Sequence, residues 1–278
     1  MRSLAVLSLK GGVGKTSVVL GLAGAAVQRG VRTLVVDLDP QGNCTATLEP
    51  GATTATLADV LVDPKRSVVE RAIAPSAWGP GLDVLVGAEE VEGHNRPDPD
   101  ARLLGRLDKA LTKLDLITDR DGEQPYRLVL MDCPPSLGQL TRSALVGAER
   151  ALLVTEPTIY AVTGVQRAFE AVQTERERNP DLQPLGVLVN RVRVRSTEHS
   201  YRITELRELF GPLVLPTVLP DRTAVQHAQG ACLPIQRWGT PGAREMTVAF
   251  DGLLARVLRT TRLRRRSAPD DGPVDGLT

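Results

Sequence analysis

The chain has 278 residues, with 34 Lys and Arg against 33 Asp and Glu and a formal net charge of +1 at neutral pH. That length suffices for one α/β unit with a substantial core, and so even a balance excludes a whole-molecule field that would draw the protein to nucleic acid or an anionic membrane. The three cysteines, Cys44, Cys133 and Cys232, are widely spaced and form no CxxC pair. They exclude a disulfide framework and fit a reducing cytoplasm.

The first residues read MRSLAVLSLKGG, an apolar run too short for a signal segment or a membrane span. They predict a buried strand over 3–9, followed by Lys10-Gly11-Gly12-Val13-Gly14-Lys15-Thr16 and a helix over 15–29. Strand, glycine loop and helix in that order form a phosphate cradle. The glycines let successive N–H groups turn inward, and the helix N-terminus adds partial positive charge. Lys15 is placed to reach the β- and γ-phosphates and the Thr16 hydroxyl to ligate Mg²⁺. The alternative, a glycine-rich turn with surface lysines, does not require the flanking strand and helix that stand here. Leu9 occupies the place where the usual pattern has glycine, with Lys10 beside it.

A strand over 33–37 comes next and runs into Asp37-Leu38-Asp39-Pro40-Gln41-Gly42-Asn43. Two carboxylates thus fall at the C-terminal end of a strand, where open α/β sheets hold ligands, unless they merely form a solvated Asp-Pro turn. Further strands are predicted over 82–86, 127–131, 151–154, 185–189 and 213–218, and helices over 101–116, 137–147, 163–178, 201–210 and 243–262. Several of these apolar runs lack alternation, as strands buried on both faces do. The strand over 127–131 ends in Asp132-Cys133-Pro134-Pro135-Ser136-Leu137-Gly138, an apolar strand closed by an aspartate in the manner of a Walker B segment, so Asp132 is a candidate Mg²⁺ ligand. Cys133 reads as a small buried residue.

The alternation of strands and helical stretches predicts an α/β fold with a doubly wound, mostly parallel sheet and helices on both faces, over residues 1–262. Residues 263–278 are a basic-then-acidic tail, rich in Pro and Gly toward its end and expected to be disordered. Positive charge gathers at Arg191, Arg193, Arg195 and Arg202, and again at Arg256, Arg259, Arg262, Arg264, Arg265 and Arg266. Such arginines can hold DNA phosphates without reading sequence, and equally can be an exposed strand edge or a solvated helix end.

The loop KGGVGKT resembles the deviant Walker A motif of the ParA/MinD superfamily, and the segments at 37–43 and 132–138 resemble that superfamily's first and second switches. The resemblance implies a Mg²⁺-dependent ATPase, slow until stimulated. ATP would be held by Lys10, Gly11, Gly12, Val13, Gly14, Lys15, Thr16 and Ser17, with Lys10 crossing a dimer interface to the partner's nucleotide. Asp39 would orient and help deprotonate the attacking water, Asp37 would support the Mg²⁺ shell, and Asn190 would meet the adenine edge, flanked by Pro220 and Asp221. Where a guanine-reading protein has aspartate this chain has Arg193, so ATP is favoured over GTP. Arg195 falls where chromosomal ParA proteins contact DNA; Arg191, Arg193 and Arg222 complete the expected DNA-binding set, although Ala224 stands where the family has a further basic residue. The resemblance further implies a homodimer with ATP, a ParB-like activating protein, non-specific DNA and a cytoplasmic, nucleoid-associated life. With nine residues before Lys10, no DNA-reading helix-turn-helix domain, and hence no sequence-specific operator binding, is expected. A MinD-like ATPase that positions protein cargo is the rival reading. That branch ends in an amphipathic membrane helix, and the arginine-rich end of this chain argues against a stable membrane anchor. The cysteines do not stand where the iron-protein branch bridges its cluster. A non-catalytic scaffold would not need Lys15, Asp39 and Asp132 together.

Overall fold

The computed structural model of the chain describes residues 1–118 and 125–260. Among these, eight strands form a single sheet: β1 (Arg2–Leu7), β2 (Thr33–Asp37), β3 (Ile73–Pro75), β4 (Leu82–Leu85), β5 (Leu128–Asp132), β6 (Arg150–Thr155), β7 (Gln183–Val192) and β8 (Val214–Pro220). Their order is β3-β4-β2-β5-β1-β6-β7-β8, every pair parallel except β3 with β4. All residues of β2 and β5 are buried, which is why their sequences are unbroken apolar runs closed by an aspartate.

Side chains of β1 leave alternately to two cores. Leu4 and Val6 join Val18, Val19 and Leu22 of α1 (Lys15–Gln28) and Phe250, Leu253 and Leu254 of a long C-terminal helix, Pro241–Thr260. Ala5 and Leu7 join the other core, with Leu107 and Leu111, Leu140 and Ala144, and Val165 and Val172. Helices therefore cover both faces, as expected. Each fully buried leucine contributes roughly 1.5–3 kcal/mol. Gly21 of α1 lies under Phe250, and a Cβ there would collide with the ring, so this glycine sets the closeness of the two helices.

The remaining helices are α2 (Asn43–Leu48), α3 (Leu57–Val62), α4 (Arg66–Arg71), α5 (Ala101–Leu104), α6 (Arg106–Thr118), α7 (Gln139–Gly147), α8 (Ala161–Glu175), α9 (Thr197–Phe210), α10 (Thr223–Gly230) and α11 (Pro241–Thr260). The short elements α2, α3, α4, α10 and β3 were not expected from sequence, because a turn or two of helix is too brief to display a period. The single helix predicted over 101–116 is broken at Gly105 into α5 and α6. The helix predicted from 201 starts at Thr197, where the Ser196 side chain accepts from the His199 N–H at 3.2 Å and caps it. The predicted tail, and Arg262, Arg264, Arg265 and Arg266 of the basic cluster, lie outside the described residues.

Candidate nucleotide site

The parallel register places Asp132 beside both Val6 and Asp37, so the C-terminal ends of β1, β2 and β5 bring two carboxylates together where α1 begins. The loop from Lys10 to Gly14 turns over them with Gly12 at φ 80° and Gly14 at φ 89°, a left-handed region that side chains resist. Gly14 is constrained twice, because a Cβ there would run into the carboxamide nitrogen of Asn190. That nitrogen, Asn190 Nδ2, donates to the Val13 carbonyl at 2.7 Å. Asn190 is buried, and its Oδ1 remains as an acceptor.

Lys15 and Asp132 are both buried; no donor meets either carboxylate oxygen of Asp132 in full hydrogen-bond geometry, although the Thr16 hydroxyl is near enough to favour its charge. Burial pushes its pKa well above the usual carboxylate range and the charge of Asp37 pushes further, while the Thr16 hydroxyl and Lys15 oppose the rise. Asp37 is raised to about 6, chiefly by burial. Its Oδ2 accepts from the Thr45 N–H at 2.7 Å and its Oδ1 from the Asp39 N–H at 3.3 Å, so Asp37 also caps the start of α2. Asp39 is partly exposed, and its Oδ1 accepts from the Gln41 N–H at 3.1 Å.

Two neighbouring buried carboxylates, of which Asp132 has both oxygens unpartnered, next to a hydroxyl, fit a divalent cation. No group of three His, Cys, Asp or Glu among the described residues could hold a metal unaided. The set therefore suits Mg²⁺, which is bound by one or two carboxylates together with nucleotide phosphates. Cys44 and Cys133 are buried beside these acids, and burial raises both thiols, which makes them poor nucleophiles; for Cys133 this is the small buried residue read from the sequence.

Lys10 is half exposed, and its Nζ lies 3.3 Å from Glu156 Oε2. The other oxygen of Glu156 takes Arg191 Nη1 at 2.9 Å. Asn190, Pro220, Asp221 and Arg222 line one cleft together with Ser17, so the predicted base-flanking residues do converge. The expected DNA-binding arginines are occupied differently. Arg191 pairs with Glu156, Arg193 Nε with Asp221 Oδ2 at 3.0 Å, and Arg222 Nε with Glu245 Oε2 at 2.7 Å. Arg195 is exposed at the end of the loop after β7.

Sequence reasoning missed Glu156, Thr45, Gln139 and Gln229, whose Oε1 accepts from Ser17 Oγ at 3.2 Å. Glu156 follows directly on β6, next to β1, and the rule that ligand-side residues follow strand ends could have found it.

The family described as "AAA domain" matches residues 1–184. The chromosome partitioning protein ParA of Caulobacter vibrioides is 32% identical over 239 residues, covering 84% of this chain and 86% of the relative. The chain belongs to the ParA/Soj family of partitioning ATPases. The chromosome-partitioning ATPase Soj of Thermus thermophilus is 30% identical over 260 residues, 92% of this chain and 97% of that relative. Among solved structures, cobyrinic acid a,c-diamide synthase from Mycobacterium smegmatis, crystallised with an ATP analog and magnesium, superposes with a TM-score of 0.73. It is 28% identical and covers 91% of this chain and 94% of that one. The doubly wound ATPase fold expected of a ParA/Soj chain is the fold observed. No helix of the described residues is long and apolar enough to cross a membrane.

Proposed function

We propose that the chain is a Mg²⁺- and ATP-dependent partition switch. It closes as a homodimer on ATP, binds DNA non-specifically in that state, and is released when a ParB-like protein stimulates hydrolysis. The observation that carries the nucleotide chemistry is the pair Asp37 and Asp132, buried with the orphaned Asp132 oxygens facing the Lys15 and Thr16 side of the glycine loop.

Each residue has a task that its surroundings favour. Backbone N–H groups of residues 11–16 and the Lys15 ammonium take the phosphate charge. Thr16 and Asp132 would hold Mg²⁺, with Asp37 behind them, and the cation when bound supplies charge neutralisation at the phosphate oxygens. Asp39 has one oxygen fixed by the Gln41 N–H, which leaves the other to orient a water and take its proton. Asn190 donates to Val13, so it offers the base an acceptor. The adenine amino group satisfies that acceptor, and the guanine carbonyl would repel it. Lys10, partly exposed and held only by an ion pair at the protein surface, is free to reach a partner's phosphates at small cost.

For DNA the support is Arg195, together with Arg193, which stays largely exposed despite its ion pair. Phosphate contacts of this kind are salt-sensitive and sequence-independent. The internal pairing of Arg191, Arg193 and Arg222 favours a second reading, an ATPase that positions protein cargo without touching DNA.

Binding to non-specific duplex DNA at two salt concentrations separates them, measured with ATP, with ADP and without nucleotide, using Asp39→Ala to suppress turnover. The partition switch binds only with ATP and loses affinity with salt. Absence of binding in every state removes the DNA role and leaves the cargo reading. Normal hydrolysis by Asp39→Ala would show that another group positions the water.

A further inference from the structure

The two acidic stations are far apart in sequence, yet one stretch of chain, residues 87–100, is fastened to both. At its start, the Gly87 N–H donates to Thr45 Oγ1 at 3.0 Å, and Thr45 in turn donates its N–H to Asp37. The fit is tight, since a Cβ on Gly87 would stand 2.7 Å from the Asp37 carbonyl oxygen. At its far end, the stretch meets Gly138 and Gln139, which close the segment that follows Asp132. The Gln139 N–H donates to the Arg96 carbonyl at 2.8 Å. The Gln139 side chain, buried at 3% exposure, clasps residue 100 from both sides: Oε1 accepts from the Asp100 N–H at 2.6 Å, and Nε2 donates to the Asp100 carbonyl at 3.3 Å. Gly138 admits this approach, because a Cβ there would lie 2.7 Å from Asn95 Oδ1 and 2.9 Å from the Arg96 carbonyl.

We propose that Gln139 is a positioning residue that joins the segment after Asp132 to the segment after Asp37 through residues 87–100, so that the two respond to nucleotide as one body. A buried glutamine with both ends used on a single loop residue is a costly way to hold a surface loop and a specific way to transmit displacement. The same seam carries two buried polar atoms with no partner, Asn95 Oδ1 and Ser136 Oγ, one on each side of the clasp. An unpartnered buried polar atom costs about 1–3 kcal/mol, so neither side of the seam has its hydrogen bonding completed in this arrangement. Pro134 and Pro135 stiffen the segment between Asp132 and the clasp, so a shift at Asp132 reaches Gln139 instead of being absorbed on the way.

The inference deepens the ATPase reading above and rests on it for the meaning of the response. Its test reads hydrogen exchange over residues 37–45 and 132–139, with ADP and with a non-hydrolysable ATP analogue, alongside kcat and KM for ATP. In the full chain both segments change protection between the two nucleotides. In Gln139→Met, which keeps length and apolar contact but loses both bonds to Asp100, residues 132–139 still respond while residues 37–45 no longer do. In the same variant kcat falls about tenfold with KM within about twofold, on the scale of one to two lost hydrogen bonds. Gln139→Glu, which keeps the acceptor for the Asp100 N–H, restores part of both effects. Residues 37–45 responding in Gln139→Met as in the parent would overturn the proposal. Should Gln139→Met lack its native circular dichroism, Gly87→Ala, pressed against the Asp37 backbone at the other end, decides by the same two readouts. A parent protein that binds ATP without hydrolysing it defeats the catalytic reading, while the exchange comparison still decides this one.

Discussion

Asp37 makes the nucleotide-free protein less stable as pH rises. Its pKa is 3.8 in an exposed chain and about 6 when buried in the fold. Between those values the folded state binds more protons than the unfolded state, so stability is highest in acid and declines toward neutrality. A displacement of that size corresponds to a penalty of about 3 kcal/mol at pH 7.5 and about 1.6 kcal/mol at pH 5, a difference of about 1.4 kcal/mol. Urea denaturation at both pH values, in EDTA and without nucleotide, measures it, with the buried Trp78 as fluorophore. Asp132 shifts in the same direction, so the quantity to follow is the stability gap between the parent and Asp37→Asn. Asparagine keeps the volume and an acceptor for the Thr45 N–H and carries no charge. The gap should move by about 1.4 kcal/mol in favour of the variant from pH 5 to pH 7.5, and saturating Mg²⁺ and ATP should remove that movement. A gap equal at both pH values would refute the view that burying the Asp37 carboxylate costs stability near neutrality.

Lys15→Ala should abolish ATP binding in calorimetry while leaving the fold intact, since its ammonium lies buried beneath the phosphate cradle. Lys10→Ala should bind ATP normally and remain monomeric by light scattering. Glu156→Gln should do the reverse: by freeing Lys10 from a partly exposed ion pair worth at most about 1 kcal/mol, it should lower the ATP needed for dimerisation by up to about fivefold. Gly21→Ala should lower stability by about 1–3 kcal/mol in denaturant, because overpacking against Phe250 outweighs the gain in helix propensity; a more stable variant would mean that α11 yields easily.

The parts of the site that lie along one stretch of chain were legible in the sequence. A buried strand, a glycine loop and a helix start are local events, so residues 10–17 fall where they were expected, and unbroken apolar runs ending in aspartate located the ends of β2 and β5. What required the structure was every partner that the sheet order brings together. Nothing in the sequence pairs Asn190 with Val13, 177 positions apart, or Lys10 with Glu156, 146 apart. Polar residues such as Glu156 and Gln139 also look the same in a sequence whether they face solvent or a buried carbonyl. The arginine patch shows the converse limit: Arg191, Arg193 and Arg222 read as free charge, and each has an acid folded against it.

Among the described residues, α11 is fastened to α1. Phe250 fits over Gly21, Gln236 just before α11 donates to the Gly21 carbonyl at 2.8 Å, Arg29 pairs with Asp251, and Arg150 at the start of β6 donates to the Thr260 carbonyl at 2.7 Å. The helix that opens at the phosphate loop and α11 thus pack as one unit. A fluorophore attached beside Thr260 would therefore sit on a helix packed directly against the one that opens at the phosphate loop, and would report on whether that packing survives nucleotide binding.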